Sequence, residues 1–304
     1  MYELTTLDNG LRVLTVTMSH VHSASLGFFV GVGSRYENEE LAGASHFIEH
    51  MLFKGTARWP SALEIAEAIE GKGGIFNAST GLEATLYWAK VAAHDLPEAL
   101  DVLSDMLLRA KFSPEEIEKE RAVIREEISY TLDAPEGIVQ LAVNRLQWPD
   151  HPLGRDVAGS QHSVATLSRP ALLAYLADHY RPSKTVLGIA GGVDHKEVVD
   201  WARSHLGEWE PGPFFSFEPA PQNNGGPNVH IEFKDTEQAH ICLSFEGMSR
   251  CDPDRHTLRL LNVMLGEGMR SRLFQQVRER LGLAYSVDSF VSTLLDTGAV
   301  GIYA

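Results

Sequence analysis

The sequence predicts an α+β fold built from two similar halves, and three observations carry that expectation. Runs rich in β-branched and aromatic residues alternate with helical periods, the pattern of sheets with helices packed on them. The stretch EPGPFFSFEPAPQNNGGPN (210–228) is dense in Pro, Gly and Asn and reads as a linker. Beyond it the order of elements starts again. AHICLSFEG echoes SASLGFFVG, HTLRLLNVML stands where HFIEHML stood, and RLFQQVRERLGLAYSVDSF repeats the helix-then-strand pattern of ALEIAEAIEGKGGIFNAST. The expected division is a first domain over 1–213, a linker over 214–228 and the start of a similar domain over 229–304. The second copy carries no His or Glu at the motif positions. It also stops where the first copy runs on, so an incomplete second half is expected.

The elements follow in order. Asp8-Asn9-Gly10 separates two strand-like runs, and Asn-Gly favours a hairpin turn because both central positions need positive φ. Residues 23–34 read as a buried strand, followed by a helix containing HFIEHML and another from Ser61 to Ile69. Residues 76–91 predict one or two strands. Helical periods cover 95–109, 114–131, 136–147 and 168–180. A strand over 185–193 and a helix over 196–206 complete the first half, and a strand-like run begins at Val229.

Composition sets limits on function. The 304 residues are 44% hydrophobic and 22% charged, ordinary for a globular chain with a sizeable core. The net charge of −15 argues against nucleic-acid binding, which needs a basic face. Cys242 and Cys251 form no CxxC pair and read as free thiols. The N-terminus shows no basic start followed by an apolar block, and no apolar run of about 18 residues occurs. A cytoplasmic protein without a membrane span is the expectation.

The chemistry concentrates at His46-Phe47-Ile48-Glu49-His50. On a helix, His46 and His50 lie within about 40° of each other, one turn apart, and Glu49 falls about 60° from His46. Two imidazoles so placed can reach one zinc, and a carboxylate beside them can activate a water. The alternative is a helix with two surface histidines. Apolar neighbours Phe47, Ile48, Met51, Leu52 and Phe53 argue for burial, and buried histidines need partners.

The helix after Ser113-Pro114-Glu115-Glu116 offers the third ligand. With Ile117 at 0°, Ile124 and Ile128 fall within about 20°, Val123 near about −120°, Glu120 near about −60° and Glu127 near about −80°. Both carboxylates then lie inside the apolar arc, while Glu126 falls on the polar face. The wheel therefore chooses Glu127 over Glu126 as a ligand, and Glu120, two turns earlier on the same face, can bond a ligand's other ring nitrogen. The alternative for both is a salt bridge to Arg121 or Arg125. The His₂Glu set points to zinc, although manganese or cobalt can occupy such sites.

This arrangement resembles the inverted zincins, the pitrilysin and insulysin family, and within it the bacterial branch similar to the mitochondrial processing peptidase β subunit. LDNGLRV, GSRYE, GASHFIEHMLFKGT, FNASTGLEATLYWAKV and ERAVIREEI carry the likeness. The resemblance implies a zinc-dependent endopeptidase with His46, His50 and Glu127 as ligands, Glu49 as general base and Glu120 behind the ligands. It implies that Asn77, Ala78, Ser79 and Thr80 form the edge strand that pairs with substrate backbone. It also implies that Arg278 and Tyr285 serve the substrate carbonyl and its oxyanion. Family members are clamshells of two halves, often in pairs, which implies a homodimer and a peptide or unfolded-protein substrate. Two other readings stay open on the residues: a presequence-binding subunit without catalysis, and a metal-binding domain with another role.

Overall fold

The computed structural model describes residues 1–213, 215–221 and 228–304. In chain order its elements are β1 (Glu3–Thr6), β2 (Arg12–Thr17), β3 (Ser23–Val30), α1 (Ala44–Leu52), α2 (Ala62–Glu70), β4 (Ile75–Thr80), β5 (Thr85–Ala92), α3 (Leu96–Arg109), α4 (Pro114–Asp133), α5 (Pro135–Gln147), α6 (Gln161–Thr166), α7 (Arg169–His179), β6 (Thr185–Gly191), α8 (His195–Leu206), β7 (Cys242–Glu246), α9 (Arg255–Leu265), β8 (Asp288–Thr293) and β9 (Gly298–Tyr303). The chain divides into two compact units, Met1–Glu126 with Val157–Phe217, and Glu127–Asp156 with Glu218–Ala304. This grouping places 127–156 with the later residues, which a boundary at 213 does not. The dividing line crosses α4, which runs unbroken, so Glu127 is carried by the same helix as Glu120.

The first unit is a six-stranded sheet in the order β1-β2-β6-β3-β5-β4. Every neighbouring pair is antiparallel except β2 and β6. The Asn9-Gly10 hairpin forms, with Gly10 at φ 91° and Leu7 N–H donating to Leu11 C=O at 2.8 Å, but Asn9 does not take the positive φ expected at both central positions. Residues 76–91 become two strands joined by a tight loop, in which Gly81 N–H donates to Ala84 C=O at 2.9 Å. The core lies on one face of this sheet. Val13, Leu26, Phe28, Tyr87 and Leu187 are buried there, and α1 contributes Phe47, Ile48, Met51 and Leu52, all at 0% exposure. Each such side chain stabilises the fold by about 1.5–3 kcal/mol, so the helix that carries His46 and His50 is anchored by its apolar face.

The second unit holds α5, α9 and the three-stranded sheet β7-β9-β8. Its strand order and antiparallel pairing reproduce β3-β5-β4 of the first unit, which is the repeat legible in the sequence. Two expectations change. The strand-like run at Val229 is not a strand; Val229, Ile231 and Phe233 are 81%, 71% and 94% exposed, because no neighbouring ladder pairs their backbone. The short helix α6 was not expected; it starts with a Ser160–Ser163 capping box that carries no apolar periodicity. Part of the 214–228 linker lies outside the described residues. No described helix is long and apolar enough to cross a membrane. Neither cysteine forms a disulfide.

Candidate metal centre

Helix α1 starts at Gly43, whose φ of 93° places it in the left-handed region and whose side-chain-free Cα sits against Ala158. Gly43 supplies no side-chain cap. Glu37, 2% exposed, does so from outside the helix: its carboxylate accepts from Gly43 N–H and Ser45 N–H, both at 2.7 Å. Ser45 Oγ also meets the Tyr175 hydroxyl of α7 at 3.0 Å. The first turn, which carries His46, is therefore fixed from outside the helix.

One turn on, the rings of His46 and His50 lie 4.6 Å apart, centre to centre. His46, His50 and Glu127 each offer a ligand atom, and these atoms lie within 4.8 Å of one another. Zinc with nitrogen and oxygen donors at about 2.0–2.2 Å holds them roughly 3.4 Å apart. Burial, and then the neighbouring His50, lowers the His46 pKa to about 4. Its imidazole is thus neutral near pH 7, the form that ligates.

His50 Nδ1 lies 3.0 Å from Glu120 Oε2, which leaves Nε2 as the ring nitrogen available to a metal. Glu120 is 5% exposed, and its Oε1 pairs with Lys54 Nζ at 2.7 Å. The donor set fits a divalent metal of zinc type: two imidazoles, one carboxylate and a carboxylate orienting one imidazole.

The wheel expectation for α4 needs one correction. Ile117, Ile124, Ile128 and Glu120 are buried, but Val123 is 44% exposed and Glu127 is exposed. The apolar arc is narrower than the periodicity suggests, and Glu127 stands at its open margin. That placement suits a ligand reached by substrate and water.

The segment Asn77–Thr80 lies in β4, the edge strand of the sheet. Asn77 Oδ1 accepts from Ala78 N–H at 2.8 Å, so one edge-strand amide is held by the strand's own side chain. Thr80 Oγ1 donates to Glu49 Oε2. In the second unit, the Arg278 guanidinium lies 4.6 Å from the centre of the Tyr285 ring, and Tyr285 is 82% exposed.

Sequence reasoning did not find Glu37, Lys54, Arg35 or Glu83. Arg35 and Glu83 form a buried ion pair at 2.7 Å, with 1% and 6% exposure. GSRYE stands out as a motif, but pairing between distant segments leaves no periodic trace.

Two family models match the chain: the insulinase family, peptidase family M16, over residues 12–161, and the peptidase M16 inactive domain over residues 166–304. The chain is 41% identical over 303 residues to a zinc protease of Mycobacterium tuberculosis, covering 99% of this chain and 69% of that protein. It is 39% identical over 304 residues to the zinc protease YmxG of Bacillus subtilis, covering 98% of this chain and 72% of that one. A protease from Helicobacter pylori has a crystal structure that superposes with a TM-score of 0.95 at 22% identity, covering 100% of this chain and 74% of that chain. A peptidase M16 inactive domain from Pseudomonas fluorescens gives a TM-score of 0.91 at 22% identity, with the same coverage. At these identities the structural likeness speaks for the fold.

Proposed function

The chain belongs to the insulinase family of peptidases, family M16, and from that premise we propose that it is a zinc-dependent endopeptidase whose metal is held by His46, His50 and Glu127. The observation that carries the reading is the convergence of those three side chains, with Glu49 on the same helix between the histidines. Zinc, when bound, polarises the scissile carbonyl and makes a water acidic enough to attack it.

The chain's own residues supply the rest. Glu49 takes the proton of the attacking water and passes it to the leaving amine. Glu120 accepts from His50 Nδ1 and holds that imidazole in the tautomer whose Nε2 can donate its lone pair. The free edge of β4 receives an extended peptide backbone, Asn77 yielding Ala78 N–H as it does so. An extended segment is needed for this pairing, so unfolded or flexible peptides are the substrate class. The roles of Arg278 and Tyr285 rest on the family resemblance.

Elemental analysis of the purified chain tests the centre. About one zinc per chain is expected for a three-ligand site. Glu127→Gln should lose most of that zinc. Glu49→Gln should keep it while hydrolysis of an unstructured peptide falls by about 10²–10⁴-fold. Unchanged hydrolysis by Glu49→Gln would sink the base assignment, and peptide binding without cleavage by the zinc-loaded wild type would favour the presequence-binding reading.

A further inference from the structure

We infer that Thr80 is a positioning residue for Glu49: its hydroxyl fixes the carboxylate at Oε2 and directs Oε1 to the proton transfer. The inference rests on Glu49 being the general base, and it gives Thr80 a role other than pairing with substrate backbone.

Thr80 is the last residue of β4, and its Oγ1 donates to Glu49 Oε2. A hydroxyl bound to a carboxylate is a charge-assisted bond, stronger than a neutral one and directional. A glutamate has three rotatable side-chain bonds, so an unanchored carboxylate would sample orientations that are useless for proton transfer.

What holds Thr80 is as informative as what it touches. The loop after β4 is tied to the segment 33–35: Ser34 N–H donates to Gly81 C=O at 3.2 Å, and Arg35 N–H donates to Leu82 C=O at 2.8 Å. A Cβ on Gly33 would stand 2.1 Å from the Gly81 carbonyl oxygen, so only glycine permits this approach. The buried Arg35–Glu83 ion pair locks the same loop from its other side. Two residues on, Glu37 grips the first turn of α1 through Gly43 N–H and Ser45 N–H. The segment 33–37 therefore clamps both the strand end that carries Thr80 and the helix that carries Glu49. At the opposite end of the contact, the Phe53 and Phe76 rings pack 5.4 Å apart. The Thr80–Glu49 distance is set by buried bonds on both sides, which is the arrangement a positioned base requires.

Thr80→Val keeps the shape and removes the donor; Thr80→Ser keeps the donor. In the zinc-loaded full chain, Thr80→Val should lower kcat by about 10–100-fold, the usual cost of losing an orienting hydrogen bond beside a metal centre. KM, zinc content and melting temperature should not move, and Thr80→Ser should restore most of kcat. A second readout is the affinity of a peptide hydroxamate, whose hydroxyl proton is taken up by a correctly placed base. Thr80→Val should weaken it in the wild-type background and leave it unchanged in Glu49→Gln. A rise in KM with unchanged kcat, wild-type kcat in Thr80→Val, or equal hydroxamate losses in both backgrounds would each overturn the inference. If Thr80→Val does not fold, Thr80→Ala against Thr80→Ser decides by the same readouts. Full activity of Glu49→Gln would instead remove the base reading itself, a result separable from failure at Thr80.

Discussion

His179 sits among the rings of Tyr36, Tyr175 and Phe215, at centre-to-centre distances of 6.1, 4.2 and 5.2 Å. Burial, and then the Lys184 charge, lower its pKa from 6.5 to about 4. A histidine that stays neutral in the fold but is protonated in the unfolded chain favours unfolding as the pH falls. The loss begins below 6.5, grows until about 4, where the folded form also takes the proton, and is constant below that. His179→Phe should therefore flatten the stability curve between those limits, measured as melting temperature against pH with metal removed. An unchanged acid slope would show that His179 is charged in the fold. At the same scale, the His46–His50–Glu49 spacing could be read directly from the chain, because a helical turn alone sets it. Thr80 could not, since its meaning depends on which helix the strand end meets.

At the level of elements, the segment 33–37 contributes no ligand but holds both the loop after β4 and the first turn of α1. Arg35→Met leaves Glu83 charged, buried and without its guanidinium, a change expected to cost about 3–5 kcal/mol. Replacing both partners by apolar residues of similar volume should cost much less, because no stranded charge remains. Glu37→Ala exposes two helix-end amides without acceptors and should cost about 1–3 kcal/mol. It should also weaken zinc retention, since α1 positions both histidines. Urea unfolding of the metal-free chain, with zinc titration of each variant, checks both statements. A Glu37→Ala variant with unaltered zinc affinity would show that α1 is held by its apolar face alone. The start of α4 is legible because the Ser113 cap, Pro114 and the helical period coincide there, whereas α1 has no side-chain cap of its own and shows only its motif. The run at Val229 was misread because alternation describes a strand only where a neighbour accepts it.

Across the whole molecule the two units differ in how fully they cover their apolar faces. The motif helix α1 buries Phe47, Ile48, Met51 and Leu52 completely, whereas its counterpart α9 leaves Leu260, Leu261 and Met264 at 67%, 56% and 57% exposure. Fewer buried contacts mean cheaper local opening. Amide hydrogen exchange should be slowest in β3, β5 and β6 and markedly faster in α9 and in residues 229–241. Equal protection in both units would mean that the second unit's apolar faces are covered in solution, and sedimentation would then test for the homodimer that the family resemblance implies.

Local pattern in the chain was enough for the α+β class and the spacing of His46, Glu49 and His50, and the recurrence of element order was enough for the doubled architecture. The sequence also singled out Glu127 and Glu120, because one helix carries both and the wheel separates them from Glu126. Folding was needed to place Glu127 at an open margin, Glu37 on the first turn of α1 and Arg35 against Glu83. The same holds for the end of an edge strand supplying a hydroxyl to Glu49. These contacts join segments far apart in the chain, and their energy comes from burial and hydrogen bonding that no periodic pattern encodes.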